Sequence, residues 1–120
     1  MARYVDGFLI PVSRKNLEKY EKIARVAGRV WREHGALEYF ECVGDDLNPK
    51  GVAMTFPRRV RAKPGETIMF SWIVYRSRAH RDRVNARVMK DPRITRIMAD
   101  AIPFDGKRMS YGGFKVLVKA

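Results

Sequence analysis

The strongest constraint on the fold is a strand–helix–strand plan that this 120-residue chain runs through twice, once in each half. In the first half, the apolar and β-branched segment Tyr4–Val12 predicts a strand that Pro11 ends. From Leu17 the apolar residues recur at helical spacing, and Gly35 is placed to end that helix. The segment Ala36–Val43 then predicts a second strand.

The second half repeats the plan with clearer boundaries. The segment Thr67–Tyr75 is the strongest strand pattern, and Ser77 can cap a helix that starts at Arg78. Pro92 interrupts that helix and can begin a short one, and Met109–Val118 predicts the last strand. Strands and helices in this order predict an α+β fold of the ferredoxin-like βαββαβ type, with an antiparallel sheet and helices on one face.

Length and cysteine usage set the broad class. At 120 residues, positions 1–120 are expected to form one domain. Cys42 is the only cysteine, so no internal disulfide can form, which suits the cytoplasm. The N-terminal residues show no signal-peptide pattern, and no apolar run approaches the ~18 residues that cross a bilayer, so no membrane partner is expected.

Both alternations of the central strands are apolar, which bears on association. In Thr67–Tyr75 one alternation carries Phe70 and Trp72 while the other carries Met69 and Ile73. A sheet with helices on one face alone should be polar on the other. We therefore expect a homodimer whose sheets pack face to face, with the small residue Ser71 at the contact.

Five blocks in sequence order carry a family resemblance. They are Tyr4–Phe8, Phe70–Tyr75, Arg81 and Asp82 with Asn85, Asp91–Arg93, and Pro103–Phe114. Together they resemble the bacterial YbaA-like proteins, a family of small cytosolic proteins of unknown function. The resemblance implies a dimeric α+β barrel, a superfamily that includes cofactor-independent monooxygenases, haem-degrading enzymes and lactone isomerases. It also implies a ligand cleft between the sheet and the helices of one subunit, but it assigns no reaction.

Two residues are candidates for the body of such a cleft. Trp72, in mid-strand, offers an aromatic wall for a flat ligand, or else packs in the core. Asn85, on the predicted third helix, is an amide that either orients a substrate or bonds a loop.

The segment Pro103–Phe114 gathers polar and aromatic groups at the start of the last strand. Lys107 and Arg108 are candidates for holding a carboxylate or phosphate, and Tyr111 for orienting it. The alternative is a dimer-contact loop, in which Gly112 and Gly113 mark a bulge or a close approach.

Asp6 is a carboxylate inside an apolar strand, so it must be paired or lie at a rim. An ion pair with Arg108 or Lys107 is the structural expectation, and a general base is the catalytic one. Tyr111 is the other candidate for catalysis. No metal is expected, because Glu41, Cys42 and the histidines lack ligand spacing. No cofactor is expected, because the chain shows no Gly-rich phosphate motif and no nucleotide fingerprint.

The net charge of +12 leaves several functions open. Our leading hypothesis is a cytoplasmic homodimer that binds a small anionic or aromatic metabolite, with cofactor-free oxygenase- or isomerase-like chemistry if it is an enzyme. One alternative is a nucleic-acid binder that works through Arg58, Arg59, Arg61 and the helix Arg78–Arg87. The other is a structural dimer without catalytic activity.

Overall fold

Four strands form a single antiparallel sheet, and the three longer helices are packed on one of its faces. The computed structural model describes residues 2–120. The elements are β1 (Tyr4–Ser13), α1 (Leu17–Glu33), β2 (Glu38–Val43), the short α2 (Phe56–Arg59), β3 (Glu66–Tyr75), α3 (Arg78–Val88), α4 (Pro92–Ala99) and β4 (Ser110–Lys115). The strand order is β2–β3–β1–β4, with every neighbouring pair antiparallel. This confirms the predicted α+β, ferredoxin-like fold.

The helix boundaries follow local signals that were visible in the sequence. The Ser77 hydroxyl accepts a hydrogen bond from the His80 backbone N–H at 3.1 Å and so caps α3. Asp91 caps α4 in the same way, and Pro92 occupies its first turn. Gly35 follows α1 with φ +115°, a conformation that glycine adopts without strain.

The first strand does not end at Pro11 as predicted but continues to Ser13. Pro11 pairs with Ile68 of β3, whereas β4 pairs with β1 only as far as Leu9. The missing N–H of Pro11 therefore points to a side where no strand lies, which is where a strand tolerates proline. The last strand is shorter than predicted, at Ser110–Lys115.

The register decides which side chains face the helices. Asp6 and Phe8 of β1 pair with Ile73 and Ser71 of β3, and all four lie on the helix-covered face. Trp72 pairs with Gly7 and lies on the opposite face. Two expectations are therefore wrong: Ser71 does not lie on the face away from the helices, where the dimer contact was expected, and Trp72 does not line the sheet–helix cleft.

The face away from the helices carries a row of aromatic side chains, which we call the open face. The Phe40 and Trp72 rings stack at 4.9 Å, and Phe70 meets Trp72 edge-on at 5.7 Å. Phe40 and Phe70 are each 45% exposed, and Phe114 of β4 is 63% exposed. The molecule is a slab about 20 Å thick, the depth of one sheet and one helix layer. The open face is only partly covered: Phe56 of α2 meets the Phe70 ring edge-on at 6.1 Å, and Pro11 and Ile68 at that end of the sheet are buried.

None of the helices described is long and apolar enough to cross a membrane.

Candidate functional site

A cavity of about 600 Å³ lies between the sheet and helices α1, α3 and α4. Its walls are mainly apolar, and the apolar side chains that line it come from both layers: Phe8, Ile10, Ile23, Ala24, Ala27, Trp31, Ile73, Ile94, Ile97 and Phe104. A largely apolar chamber with a few converging polar groups is the usual form of a small-molecule site. The polar groups here form two clusters.

One cross-strand row forms the floor of the cavity and relates the two clusters. In register, Glu41 of β2 pairs with Ser71 of β3, Ser71 with Phe8 of β1, and Phe8 with Tyr111 of β4. The row crosses the whole sheet, so its end residues are about 14 Å apart at the backbone, three strand spacings of about 4.8 Å. A ligand that lay along the floor would meet a polar group at each end and the Phe8 ring between them.

Glu41 anchors the polar cluster at the β2 end. Its Oε1 accepts hydrogen bonds from the Tyr20 hydroxyl at 2.7 Å and the Ser71 hydroxyl at 2.5 Å, and its Oε2 accepts one from Tyr39 at 2.7 Å. Burial, followed by the charge of Glu41, raises the pKa of both tyrosines well above the ordinary value. Both phenols therefore stay protonated and act as donors to the carboxylate.

The second cluster lies at the β4 end and is built around Asp6. The Asp6 side chain is 1% exposed, and its Oδ1 accepts a hydrogen bond from Arg81 Nη1 of α3 at 2.6 Å. The same nitrogen donates to the Tyr111 hydroxyl at 2.7 Å, and the guanidinium lies 4.9 Å from the centre of the Tyr4 ring. The predicted pairing of Asp6 with Arg108 or Lys107 is wrong, because Arg81 is its partner.

Tyr111 lies at this end of the cavity with its ring 5.0 Å from the Phe8 ring and half of its surface exposed. Burial, together with the nearby Asp6 carboxylate, raises its pKa. The hydroxyl is therefore neutral at physiological pH, available to a ligand as donor or acceptor.

Asn85 of α3 lies in the cavity wall and is held by two aromatic side chains. Its Oδ1 accepts hydrogen bonds from the Trp31 indole N–H and the Tyr75 hydroxyl, both at 3.1 Å. Because an indole N–H can only donate, these contacts assign the amide orientation and leave Nδ2 as the amide atom not used by Trp31 and Tyr75. Asn85 and Tyr111 thus lie where the sequence places a ligand, and their role in binding stays a prediction.

Lys107 and Arg108 lie outside the cavity. Arg108 forms a two-pronged ion pair with Glu66, at 2.8 and 2.9 Å, and donates to the Arg61 carbonyl at 3.0 Å. Lys107 is exposed and does not line the chamber. The anion pocket that the sequence suggested at these two residues is therefore not assembled on this face.

The double glycine of β4 marks a close approach without a bulge. Gly112 and Gly113 pair in regular register with Gly7 and Asp6. A methyl group at Gly113 would overlap the Tyr4 side chain, so the neighbour that requires glycine there is Tyr4.

A second groove, of about 680 Å³, lies between α1 and the edge strand β2. It shares Tyr20, Ala24, Tyr39 and Glu41 with the cavity, so Ala24 and the Glu41 cluster form a partition between the two spaces. Arg29 and Arg32 lie along the outer side of this groove, and both are solvent-exposed.

The sequence interpretation missed the Glu41 cluster, although a signal for it exists. Glu41 and Ser71 are polar residues inside apolar strands, as Asp6 is, and polar groups in such places must find partners. Tyr20 lies on the apolar stripe of α1 and carries its hydroxyl toward the sheet. The strand pairing that unites them was not available from the sequence.

Comparison with known proteins finds a family whose sequence model this chain matches. The model of the family described as "Protein of unknown function (DUF1428)" matches residues 3–106. The uncharacterized protein YbaA of Escherichia coli strain K12 is 40% identical over 116 residues, which cover 97% of each chain, and YbaA of Shigella flexneri matches equally. Among solved structures, a putative antibiotic biosynthesis monooxygenase from Nitrosomonas europaea aligns with a TM-score of 0.60. That alignment covers 97% of this chain and 91% of the other at 12% identity, so the likeness concerns the fold alone.

Proposed function

Because this chain belongs to the DUF1428 family of proteins of unknown function, we propose its function from its own geometry: it binds a small, largely apolar molecule in the cavity between sheet and helices. The observation that carries the proposal is the convergence of two polar clusters on one apolar chamber of about 600 Å³. An apolar body would fill the chamber, and the polar ends would set its orientation.

The mouth of the cavity supports this proposal. Several large apolar side chains that line the chamber are also exposed to solvent: Met89, Met98, Ile102, Met109 and Tyr111. Methionine side chains are flexible and adapt to ligands of different shape. An apolar molecule would meet an apolar rim before it reaches the floor.

The same geometry argues for an aromatic or aliphatic ligand and against an anionic one. Arg108, the cation first expected to hold an anion, is already paired with Glu66. Arg81 is paired with Asp6 and Asp82. An anion entering the chamber would lose its hydration without gaining a free cation in return.

Asp6 and Tyr111 are proposed as groups that position the ligand. Asp6 Oδ1 accepts from Arg81 Nη1 at 2.6 Å, and the same nitrogen donates to the Tyr111 hydroxyl at 2.7 Å, so the ion pair holds Tyr111 in place at the end of the cavity. Cofactor-free oxygenase- or isomerase-like chemistry is the first class of reaction to test, with Tyr111 as the group that would exchange a proton.

Cavity binding can be tested by filling the chamber. Ala27 lines it from α1 and does not line the outer groove, so Ala27→Phe would occupy the ligand space alone, whereas Ala86→Phe adds the same ring on the exposed side of α3. In a thermal-shift screen of apolar metabolites, wild type and Ala86→Phe should share ligands that Ala27→Phe has lost. A ligand that raises the melting temperature of all three proteins equally binds elsewhere and contradicts the proposal.

We also propose that the protein is a cytoplasmic homodimer formed through the open face. The stacked rings of Phe40, Trp72 and Phe70 make a continuous apolar surface, and such surfaces usually mark interfaces. Phe114 extends the surface across β4. A second copy is the partner that we favour, because a self-complementary contact about a twofold axis needs only this one patch.

The dimer proposal predicts a specific response to charge. Phe70→Lys places an ammonium group in the centre of the contact, while Met98→Lys changes a residue that is 64% exposed on the helix side. Light scattering at micromolar concentration should give a dimer for wild type and Met98→Lys and a monomer for Phe70→Lys. A monomeric wild-type protein would refute the proposal.

A further inference from the structure

The cavity is acidic although the chain is strongly basic. Lys and Arg number 25 against 13 Asp and Glu, yet the ionisable side chains lining the chamber, apart from tyrosines, are two carboxylates, Asp6 and Glu41. Of the described residues, no Lys or Arg contributes to that lining. The charge of the lining thus opposes the charge of the surface.

The two carboxylates differ in how they are neutralised. Asp6 forms an ion pair with Arg81, which approaches it from behind the cavity wall. Glu41 accepts only from hydroxyl groups, and within residues 2–120 no cationic nitrogen lies within 4.0 Å of it. Arg25, Arg29 and Arg32 line the outer groove, and none of them forms an ion pair with Glu41. Among the described residues, the Glu41 carboxylate therefore has no cationic partner.

Glu41 also has acceptor capacity left. A carboxylate offers about four lone-pair positions, and the three neighbouring hydroxyl groups occupy two on Oε1 and one on Oε2. The remaining position is on Oε2. A partly enclosed, uncompensated carboxylate is costly to the fold, which is typical of groups retained for binding.

We propose that Glu41 selects the ligand by its head group: the cavity takes a protonated amine carried on an apolar body. This inference rests on the proposed function and adds the chemical class of the ligand. The ammonium group would donate to Glu41 Oε2 and supply the missing positive charge. The body would lie along the floor over Phe8, toward Tyr111 at the other end of the row.

The test uses three probes that share one body and differ only in the head group: 4-phenylbutylamine, 4-phenylbutanol and 4-phenylbutyrate. The chain contains two tryptophans, and only Trp31 lines the cavity, since Trp72 lies on the open face. In ¹H–¹⁵N NMR spectra of ¹⁵N-labelled protein the Trp31 indole signal therefore reports binding, and the Trp72 signal is an internal control. The variant Trp72→Phe assigns the two signals.

We expect the amine to shift the Trp31 signal with an affinity at least tenfold higher than the alcohol, and the carboxylate to cause no shift at equal concentration. In Glu41→Gln the amine should fall to the affinity of the alcohol, whose own affinity stays unchanged. Glu38→Gln makes the same charge change on the same strand but on the open face, and should keep the preference.

Equal affinity of the wild-type protein for amine and alcohol, or a preference that survives in Glu41→Gln, would overturn this inference while leaving cavity binding intact. Absence of any Trp31 shift with all three probes would instead overturn cavity binding, and this inference with it. The comparison of probes on the wild-type protein needs no variant, so it decides the question even if Glu41→Gln does not fold.

Discussion

Replacing Arg81 by methionine tests the electrostatics of the site most directly. The guanidinium holds Asp6, whose side chain is 1% exposed, and it also contacts Asp82, whose side chain is 60% exposed. Arg81→Met keeps much of the aliphatic volume on α3 but leaves Asp6 without a cation. A buried carboxylate in that position has lost its compensation and cannot reach water.

The size of the stability loss in Arg81→Met follows from the burial of Asp6. Removing one partner of a buried ion pair costs about 3–5 kcal/mol, because the other charge stays desolvated. A domain of this size has a total stability of about 5–15 kcal/mol, so the loss is a large fraction of it. At about 4 °C per kcal/mol, Arg81→Met should lower the melting temperature by about 12–20 °C.

Two further variants isolate the cause. Asp82→Asn removes the exposed partner of the same guanidinium and should cost less than about 1 kcal/mol. Adding Asp6→Asn to Arg81→Met removes the uncompensated charge, so the double variant should be more stable than Arg81→Met alone. Urea unfolding, followed by circular dichroism at one fixed protein concentration, measures all of these changes. If Asp82→Asn costs as much as Arg81→Met, or if the double variant is no more stable, the buried charge is not the cause.

Three other predictions concern the packing around the site. Gly113→Ala should cost about 1–3 kcal/mol in urea unfolding, because the added methyl overlaps the Tyr4 side chain. Ser77→Ala should cost about 1 kcal/mol in the same assay, because α3 loses the side-chain cap at its first turn. Burial, followed by the charges of nearby arginines, lowers the pKa of His80, so the unfolded state binds more protons. The contribution of His80 is therefore complete above about pH 6.5 and is lost as the pH falls, so the free energy of unfolding should decrease from pH 7 to pH 5.

Each of these predictions has a matched control. Gly106→Ala meets only the end of Ile102, at 3.8 Å, and should be nearly neutral; equal losses at Gly106 and Gly113 would contradict the Tyr4 explanation. Ser77→Thr keeps a capping hydroxyl and should retain most of the stability that Ser77→Ala loses. In the wild-type protein, His80 Nδ1 accepts a hydrogen bond from the Arg76 backbone N–H at 3.0 Å. His80→Asn can keep an acceptor for this N–H, but its side chain cannot titrate. An unchanged loss between pH 7 and pH 5 in that variant would show that other groups cause it.

The sequence predicted the order of elements well because each element carries its own local signal. Ser77 and Asp91 are capping residues before helical patterns, and Gly35 supplies the positive φ after α1. Such signals act within one turn of the chain and need no knowledge of the fold. The family resemblance rests on short sequence motifs of the same local kind, and the 40% identity to YbaA confirms it.

The faces of the sheet were harder to predict, for a physical reason. In β3 both alternations are apolar, so the pattern does not say whether Trp72 or Ser71 faces the helices. Only the cross-strand register decides, because Ser71 pairs with Glu41 and Phe8. The better clue would have been the polar residues inside apolar strands, since a carboxylate such as Glu41 requires donors on its own face.

The segment Pro103–Phe114 shows that some basic residues of this chain form structural ion pairs while others lie on the surface. Arg108 fastens the segment to the start of β3 through Glu66, and this attachment leads β4 into the sheet with Tyr111 at the end of the cavity floor. Arg81 likewise forms an ion pair with Asp6. Arg81 and Arg108 are thus committed to protein carboxylates, and Arg29 and Arg32 line the outer groove rather than the cavity, so the net charge of +12 does not indicate an anionic ligand in the cavity. The charged group that is left for a ligand to complement is the carboxylate of Glu41, which has no ion-pair partner among the described residues.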